Sequence, residues 1–154
     1  MDKFVFDRDA ILLILFIVVG LIIFLTSFWL VLKSIISKGW WQTEGQIINA
    51  EIFSLNYPTE PGSNYKAKIY YIYEVDGKEY KSNRIYFGSN MPSFLKRFRS
   101  QKYLLKYSKD STTRVYYDPL NESKAVLETG VHVELIFSMA LGLAIIFLGC
   151  ILFL

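Results

Sequence analysis

The sequence predicts an α+β membrane protein: two terminal transmembrane helices flank a small antiparallel β-sheet or barrel-like domain that carries one amphipathic helix. Three observations predict it. An uncharged apolar run lies at each end of the 154-residue chain, each long enough to cross a hydrocarbon layer about 30 Å thick. Nearly all the charged residues lie between these runs. In that middle stretch apolar and polar residues alternate with the period of half-buried strands, around an Asp-Gly turn. The expected organisation is an N-terminal tail and first helix over 1–38, a β-rich domain over 39–131 and a second helix over 132–154.

The first span runs without charge from Ala10 to Leu32, roughly 35 Å as a helix at about 1.5 Å per residue. A cleaved signal peptide fits it poorly. The leading residues MDKFVFDRD are more acidic than basic, the apolar core is long, and no small-x-small cleavage site follows Leu32. The second span, Leu135 to Leu154, reaches roughly 30 Å by the same rise. Trp40 and Trp41, after Lys33 and Lys38, suit either an interfacial anchor or packing in the next domain. Small residues at helical spacing, Gly20 and Ser27 in the first span and Ser138, Gly142 and Gly149 in the second, predict close helix–helix packing. Counted by depth from the loop side, Ser27 should meet Ser138 and Gly142, and Gly20 should meet Gly149. Lys33, Lys38 and Lys124 against Lys3 and Arg8 tip the loop domain slightly toward the cytoplasm.

Between the spans, Gly45 to Leu55 reads as a strand and Tyr57 to Asn64 as a turn cluster. Lys66 to Val75, Asp76-Gly77 and Lys78 to Phe87 then read as strand, two-residue type I′ turn and strand. Centring on that turn pairs Val75 with Lys78, Tyr73 with Tyr80, Tyr71 with Ser82 and Ile69 with Arg84, so one face is rich in tyrosine. It also sets Glu74 against Glu79. The tyrosine face suits core packing or a binding surface. Further on, Thr112 to Tyr117 forms a strand halted at Asp118-Pro119. A turn through Leu120 to Ser123 and a short strand from Lys124 to Leu127 complete the domain.

Ser93 is placed to cap a helix whose apolar stripe is Phe94, Leu95, Phe98, Lys102 and Leu105. Lys96, Arg97, Arg99, Lys102, Lys106 and Lys109 make this segment the most basic part of the chain, with no acidic residue from Phe94 to Lys109. Its plain reading is a solvated face. Its functional reading is a surface that binds anionic lipid headgroups.

Gly39-Trp40, Thr43 to Ile47, Tyr70 to Gly77, Arg84 to Gly88, and above all Val115 to Asn121 followed by Ala125 to Leu127, form a succession that resembles the bacterial membrane family DUF3592, a domain of unknown function. The resemblance implies a helix at each end and a β domain between. It departs at Ser108 to Ser111, where the family often has a Pro-Val-Gly-like turn, and at Glu122, where it often has proline. It implies no activity and no site residues.

Catalysis is argued against directly. His132 is the only histidine and lies beside a span, Cys150 is the only cysteine, and the acidic residues are scattered singly. A triad, a metal centre or paired carboxylates would need these groups clustered. No catalytic, cofactor-binding or metal-binding residue is expected, and no glycine-rich phosphate loop is present. The leading expectation is a non-catalytic, membrane-anchored binding or scaffolding protein, with a toxin-immunity factor as a special case. Its partners would be the lipid bilayer, a protein of unknown identity and, as a homo-oligomer, its own copies. Nucleic acid is not expected. An anionic-lipid-binding module acting through 93–109 and an enzyme of unrecognised type are the alternatives.

Overall fold

The structure is a computed structural model, which describes residues 8–54, 65–89 and 102–153. The turn cluster at Tyr57 to Asn64, the Ser93 cap and the start of the basic helix lie outside the described residues. The chain divides into two compact units, Met1–Leu32 with Val131–Leu154, and Lys33–Gly130.

In the first unit, helix α1 (Arg8–Ile36) and helix α2 (Val133–Phe153) are both long and apolar enough to cross a membrane. Ile22, Leu25, Phe147 and Ile151 are exposed on their outer faces, as side chains that face lipid would be. Both helices begin or end beyond the uncharged runs. α1 continues one turn past Leu32, and the first turn of α2 includes Glu134, whose side chain is buried.

The glycines set how the helices meet. A Cβ on Gly20 would lie 2.7 Å from the Gly142 carbonyl oxygen and 2.6 Å from Cγ1 of Ile146. One on Gly142 would lie 2.8 Å from the Gly20 carbonyl oxygen, and one on Gly149 would lie 2.6 Å from Cβ of Phe16. Gly20 therefore opposes Gly142 and Ile146, not Gly149 as depth counting suggests. The reason is packing: the bare backbones of Gly20 and Gly142 approach each other directly, and the Phe16 side chain takes the space at Gly149. Ser27 is fully buried and Ser138 half-buried.

The second unit opens with a short 3-10 turn (Ser37–Gly39) and folds into one antiparallel sheet. Its strands are β1 (Trp41–Ser54), β2 (Tyr65–Val75), β3 (Lys78–Ser82), β4 (Thr112–Asp118) and β5 (Asn121–Val126). The order is β3-β2-β1-β4-β5. The β2–β3 hairpin has the expected register, from Val75↔Lys78 through Tyr73↔Tyr80 to Tyr71↔Ser82, and its Glu74↔Glu79 pair. Asp76 and Gly77 have φ of 50° and 77°, the two positive values that a type I′ turn needs.

The strand boundaries differ from expectation in three places, each for a local reason. β1 starts at Trp41, because Trp41 to Gln46 pair with β4 before β2 is reached. β3 stops at Ser82, so Ile69 and Arg84 do not pair. Instead the Ile85 carbonyl accepts hydrogen bonds from the Leu127 and Glu128 amides at 2.9 and 2.8 Å. β5 starts at Asn121 rather than Lys124, because the Pro119-Leu120 turn takes only two residues, held by the Leu120 amide donating to Asp118 Oδ1 at 3.0 Å.

These Ile85 bonds bring the ends of β3 and β5 together, so the sheet is nearly closed. A bulge at Ile48 bends β1, and there the Ile47 carbonyl accepts from the Asp110 amide at 2.8 Å while the Ile47 amide donates to Ser111 at 2.9 Å. The core inside is Ile47, Ile69, Tyr71, Tyr73, Val75, Ile85, Val115 and Tyr117, with Tyr107, Ala125 and Leu127. Both ends of the unit meet at one point, where the Gly130 amide donates to the Ser34 carbonyl at 3.2 Å.

Candidate functional site

The tyrosines expected on one face of the β2–β3 hairpin belong to the core. Tyr71 is fully buried and Tyr73 nearly so. A buried phenol needs a partner for its hydroxyl, and each finds one inside the domain. Tyr71 donates to the Arg84 carbonyl at 2.9 Å, Tyr73 to the Glu122 carbonyl at 2.6 Å and Tyr80 to the Glu122 carboxylate at 2.5 Å. The rings lie in a row, Tyr71 tilted against Tyr73 with centroids 6.1 Å apart and Tyr73 stacked on Tyr80 with centroids 5.6 Å apart.

Burial pushes the Tyr73 phenol up to about 12, helped by Tyr80 and Glu122. Tyr71 is raised further, again chiefly by burial, and the bond to Glu122 raises Tyr80. The signal for this interior was the alternation of tyrosines. The partner on β5 had no local signal, because Glu122 reads from sequence as an ordinary turn residue.

A second polar cluster sits under the helical residues 102–106. The Glu128 carboxylate accepts from Tyr107 at 3.1 Å, from Tyr103 at 3.3 Å and from Lys106 at 2.5 Å. The face this helix buries is not the expected stripe. Leu105 is 86% exposed and Lys102 is exposed, whereas Tyr103 is half-buried and Tyr107 buried. Tyr103 and Tyr107 are one helical turn apart, and turning that pair inward lets both hydroxyls reach Glu128. Burial and the Glu128 charge raise Tyr107 to about 12. For Lys106 burial acts downward, but the bonds to Glu128 and Tyr107 outweigh it and leave the ammonium raised.

Of the residues expected to meet lipid headgroups, Lys102 is thus exposed, Lys106 is ion-paired with Glu128, and Lys96, Arg97 and Arg99 lie outside the described residues. Trp40 packs edge-on against Phe87 at 5.5 Å, within the domain, while Trp41 is exposed and rests edge-on against Tyr117 at 6.4 Å.

What the domain turns outward between β1 and β4 is polar. The ladder sets Gln42 opposite Tyr116, Glu44 opposite Arg114 and Gln46 opposite Thr112, and apart from half-buried Tyr116 these side chains are exposed. Gln42, Thr43, Glu44, Thr112, Thr113 and Arg114 line a shallow depression of about 520 Å³. Thr43 is fixed there by its hydroxyl bond to the Glu74 carbonyl at 3.1 Å. Such a surface offers hydrogen-bonding groups and one charge of each sign on paired strands. Among the described residues no three His, Cys, Asp or Glu side chains lie close enough together to hold a metal ion, and half-buried His132 belongs to the other unit.

Comparisons with curated proteins and with solved structures return no match. Residues 43–132, more than half of the chain, match the family described as Domain of unknown function (DUF3592). They hold most of the strand ladder, the Tyr73–Glu122 closure and the Glu128 cluster, and by that match the chain belongs to the DUF3592 family.

Proposed function

We propose that this chain is a non-catalytic, two-pass membrane protein that holds its β domain at the bilayer surface to bind or scaffold a protein partner. The observation that carries this is the polar outer face of β1 and β4, where Glu44 and Arg114 stand opposite each other on a rigid ladder beside a shallow depression. Shallow, polar and fixed surfaces suit recognition of another protein better than enclosure of a small substrate. In this reading the domain lies on the cytoplasmic side of a bacterial cell membrane, and a membrane-acting or secreted toxin is one class of partner. Nucleic acid is not among them.

The test is affinity purification of the full chain from detergent-solubilised membranes, in parallel with Arg114→Glu. A partner retained by the wild-type chain and lost with Arg114→Glu supports the reading. The same partners on both, or none on either, overturns it. If the retained partner is a toxin, co-expression with and without Arg114→Glu decides the immunity case. The alternative of an anionic-lipid module draws on exposed Lys102, together with Lys96, Arg97 and Arg99. It requires vesicle binding that high salt abolishes.

A further inference from the structure

Large apolar side chains are ordinary on the surfaces of α1 and α2, but on the β domain they need a reason. Beyond α1, the described ones that are exposed in Lys33–Gly130 are Trp41, Leu105 and Leu120, and Ile35 and Ile36 are exposed in the last turn of α1 itself. Three of these five lie in the few residues where the chain passes from α1 into β1. Leu120 belongs with them by register. Trp41 at the start of β1 is paired with Tyr117 near the end of β4, so the Pro119-Leu120 turn projects past the first residue of β1. It does so at the end of the sheet where the chain arrives from α1. Leu120 is 95% exposed at the tip of that turn and Trp41 is 64% exposed. From Gly39 to Thr43 the chain carries no charge.

We propose that the β4–β5 turn is a membrane-dipping finger. Leu120 and Trp41 enter the interfacial zone of the bilayer that α1 crosses and so fix the domain against that membrane. The chemistry is that of interfacial anchoring: an aliphatic tip and an indole ring settle at headgroup depth, where each loses apolar exposure and the indole N–H keeps a polar partner. Pro119 gives the turn a fixed backbone, and the Asp118 carboxylate caps the Leu120 amide, so the tip reaches the bilayer already shaped. The anchor needs no anionic lipid, which separates it from binding through the basic helix. It rests on the reading of α1 and α2 as spans.

The test uses the full chain with Cys150→Ser, reconstituted into phosphatidylcholine vesicles, with a single polarity-sensitive fluorophore on Leu120→Cys. Parallel samples carry it on Thr112→Cys, at the far end of β4, and on Ile22→Cys, on the outer face of α1. Lipids with quenchers at shallow acyl positions should remove most of the emission at position 120 and shift the remainder to the blue. Position 112 should stay bright, and position 22 should respond to deep quenchers. A bright, unshifted probe at 120 with a quenched probe at 22 overturns the finger and leaves the spans standing. An unquenched probe at 22 overturns the spans and the finger together. Because a label perturbs its site, the unlabelled Trp29→Phe, Trp40→Phe chain supplies a second reading. Its remaining Trp41 emission should be quenched by the shallow lipids, and full emission there also overturns the proposal.

Discussion

The Tyr73 hydroxyl on β2 donates a 2.6 Å hydrogen bond to the backbone carbonyl of Glu122 on β5, joining strands that β1 and β4 separate in the sheet. This bond crosses the seam that the ladder leaves open. Removing the hydroxyl in Tyr73→Phe leaves a partly buried carbonyl without that donor, a loss of about 1–2 kcal/mol. Tyr80→Phe, nearer solvent, should lose less. Denaturant unfolding of the full chain in detergent micelles measures both, and equal losses would mean that the seam does not depend on Tyr73.

The raised phenols make the domain sensitive to alkali. Tyr73 and Tyr107 titrate near 12 when folded, against an ordinary 10. A group whose folded value is raised contributes stability that is complete below its unfolded value and is lost as pH climbs through the folded one. Stability should therefore hold up to about pH 10 and fall between about pH 10 and 12. Phenolate absorbance should show a late-titrating group of tyrosines, smaller in Tyr73→Phe. Titration of every tyrosine near 10 would refute the burial.

Glycine substitutions separate backbone conformation from space. A Cβ on Gly77 meets nothing within 4 Å, yet its φ is 77°, so Gly77→Val should lose at least about 1–2 kcal/mol from conformation alone. Gly45 is the converse, since a Cβ there would lie 2.6 Å from Cγ2 of Val115 and 2.7 Å from the Ile72 carbonyl oxygen. Gly45→Ala should cost about 1–3 kcal/mol through overpacking. Gly39→Ala, with open space around it, is the control and should be near neutral in the same unfolding assay.

These contrasts show what a sequence can and cannot carry. Asp76-Gly77 specified turn, register and face, because all three follow from local backbone preference. The two apolar helices were equally legible, since length and lack of charge are properties of single segments. The Ile85 bonds that join the ends of β3 and β5 were not, because a carbonyl's partner 42 residues away leaves no local pattern. The helix at 102–106 misled for a related reason. Leu105 is the more apolar side chain, but Tyr103 and Tyr107 found acceptors on Glu128, and those bonds decided which face turned inward.

Glu128 should matter more than its ion pair. In Glu128→Ala the nearly buried Tyr107 hydroxyl loses its carboxylate acceptor, at about 1–3 kcal/mol. Lys106→Met removes a partly exposed ion pair and should cost no more than about 1 kcal/mol. Equal losses in thermal unfolding would mean that the salt bridge, not the buried phenol, holds the 102–106 helix down.

The helix register is open to cross-linking. Cysteines at Phe16 and Gly149 should join readily within one chain in native membranes, given the 2.6 Å approach of a Cβ on Gly149 to that of Phe16. Cysteines at Gly20 and Gly149 should not, because Gly20 faces Gly142 and Ile146. The opposite pattern would restore the register that depth counting suggests, and cross-links between chains would assign these faces to an oligomer.

The hydrogen bond between Ser34 and Gly130 ties the two ends of the β domain together and makes it an insertion cassette. Its two ends come together, so a short peptide could join Ser34 to Gly130 in place of the whole segment. The domain is equally portable. Cut at Lys33 and Gly130, it brings its own closure and could be grafted between the helices of another hairpin, or permuted by joining its old ends and opening it at a surface turn.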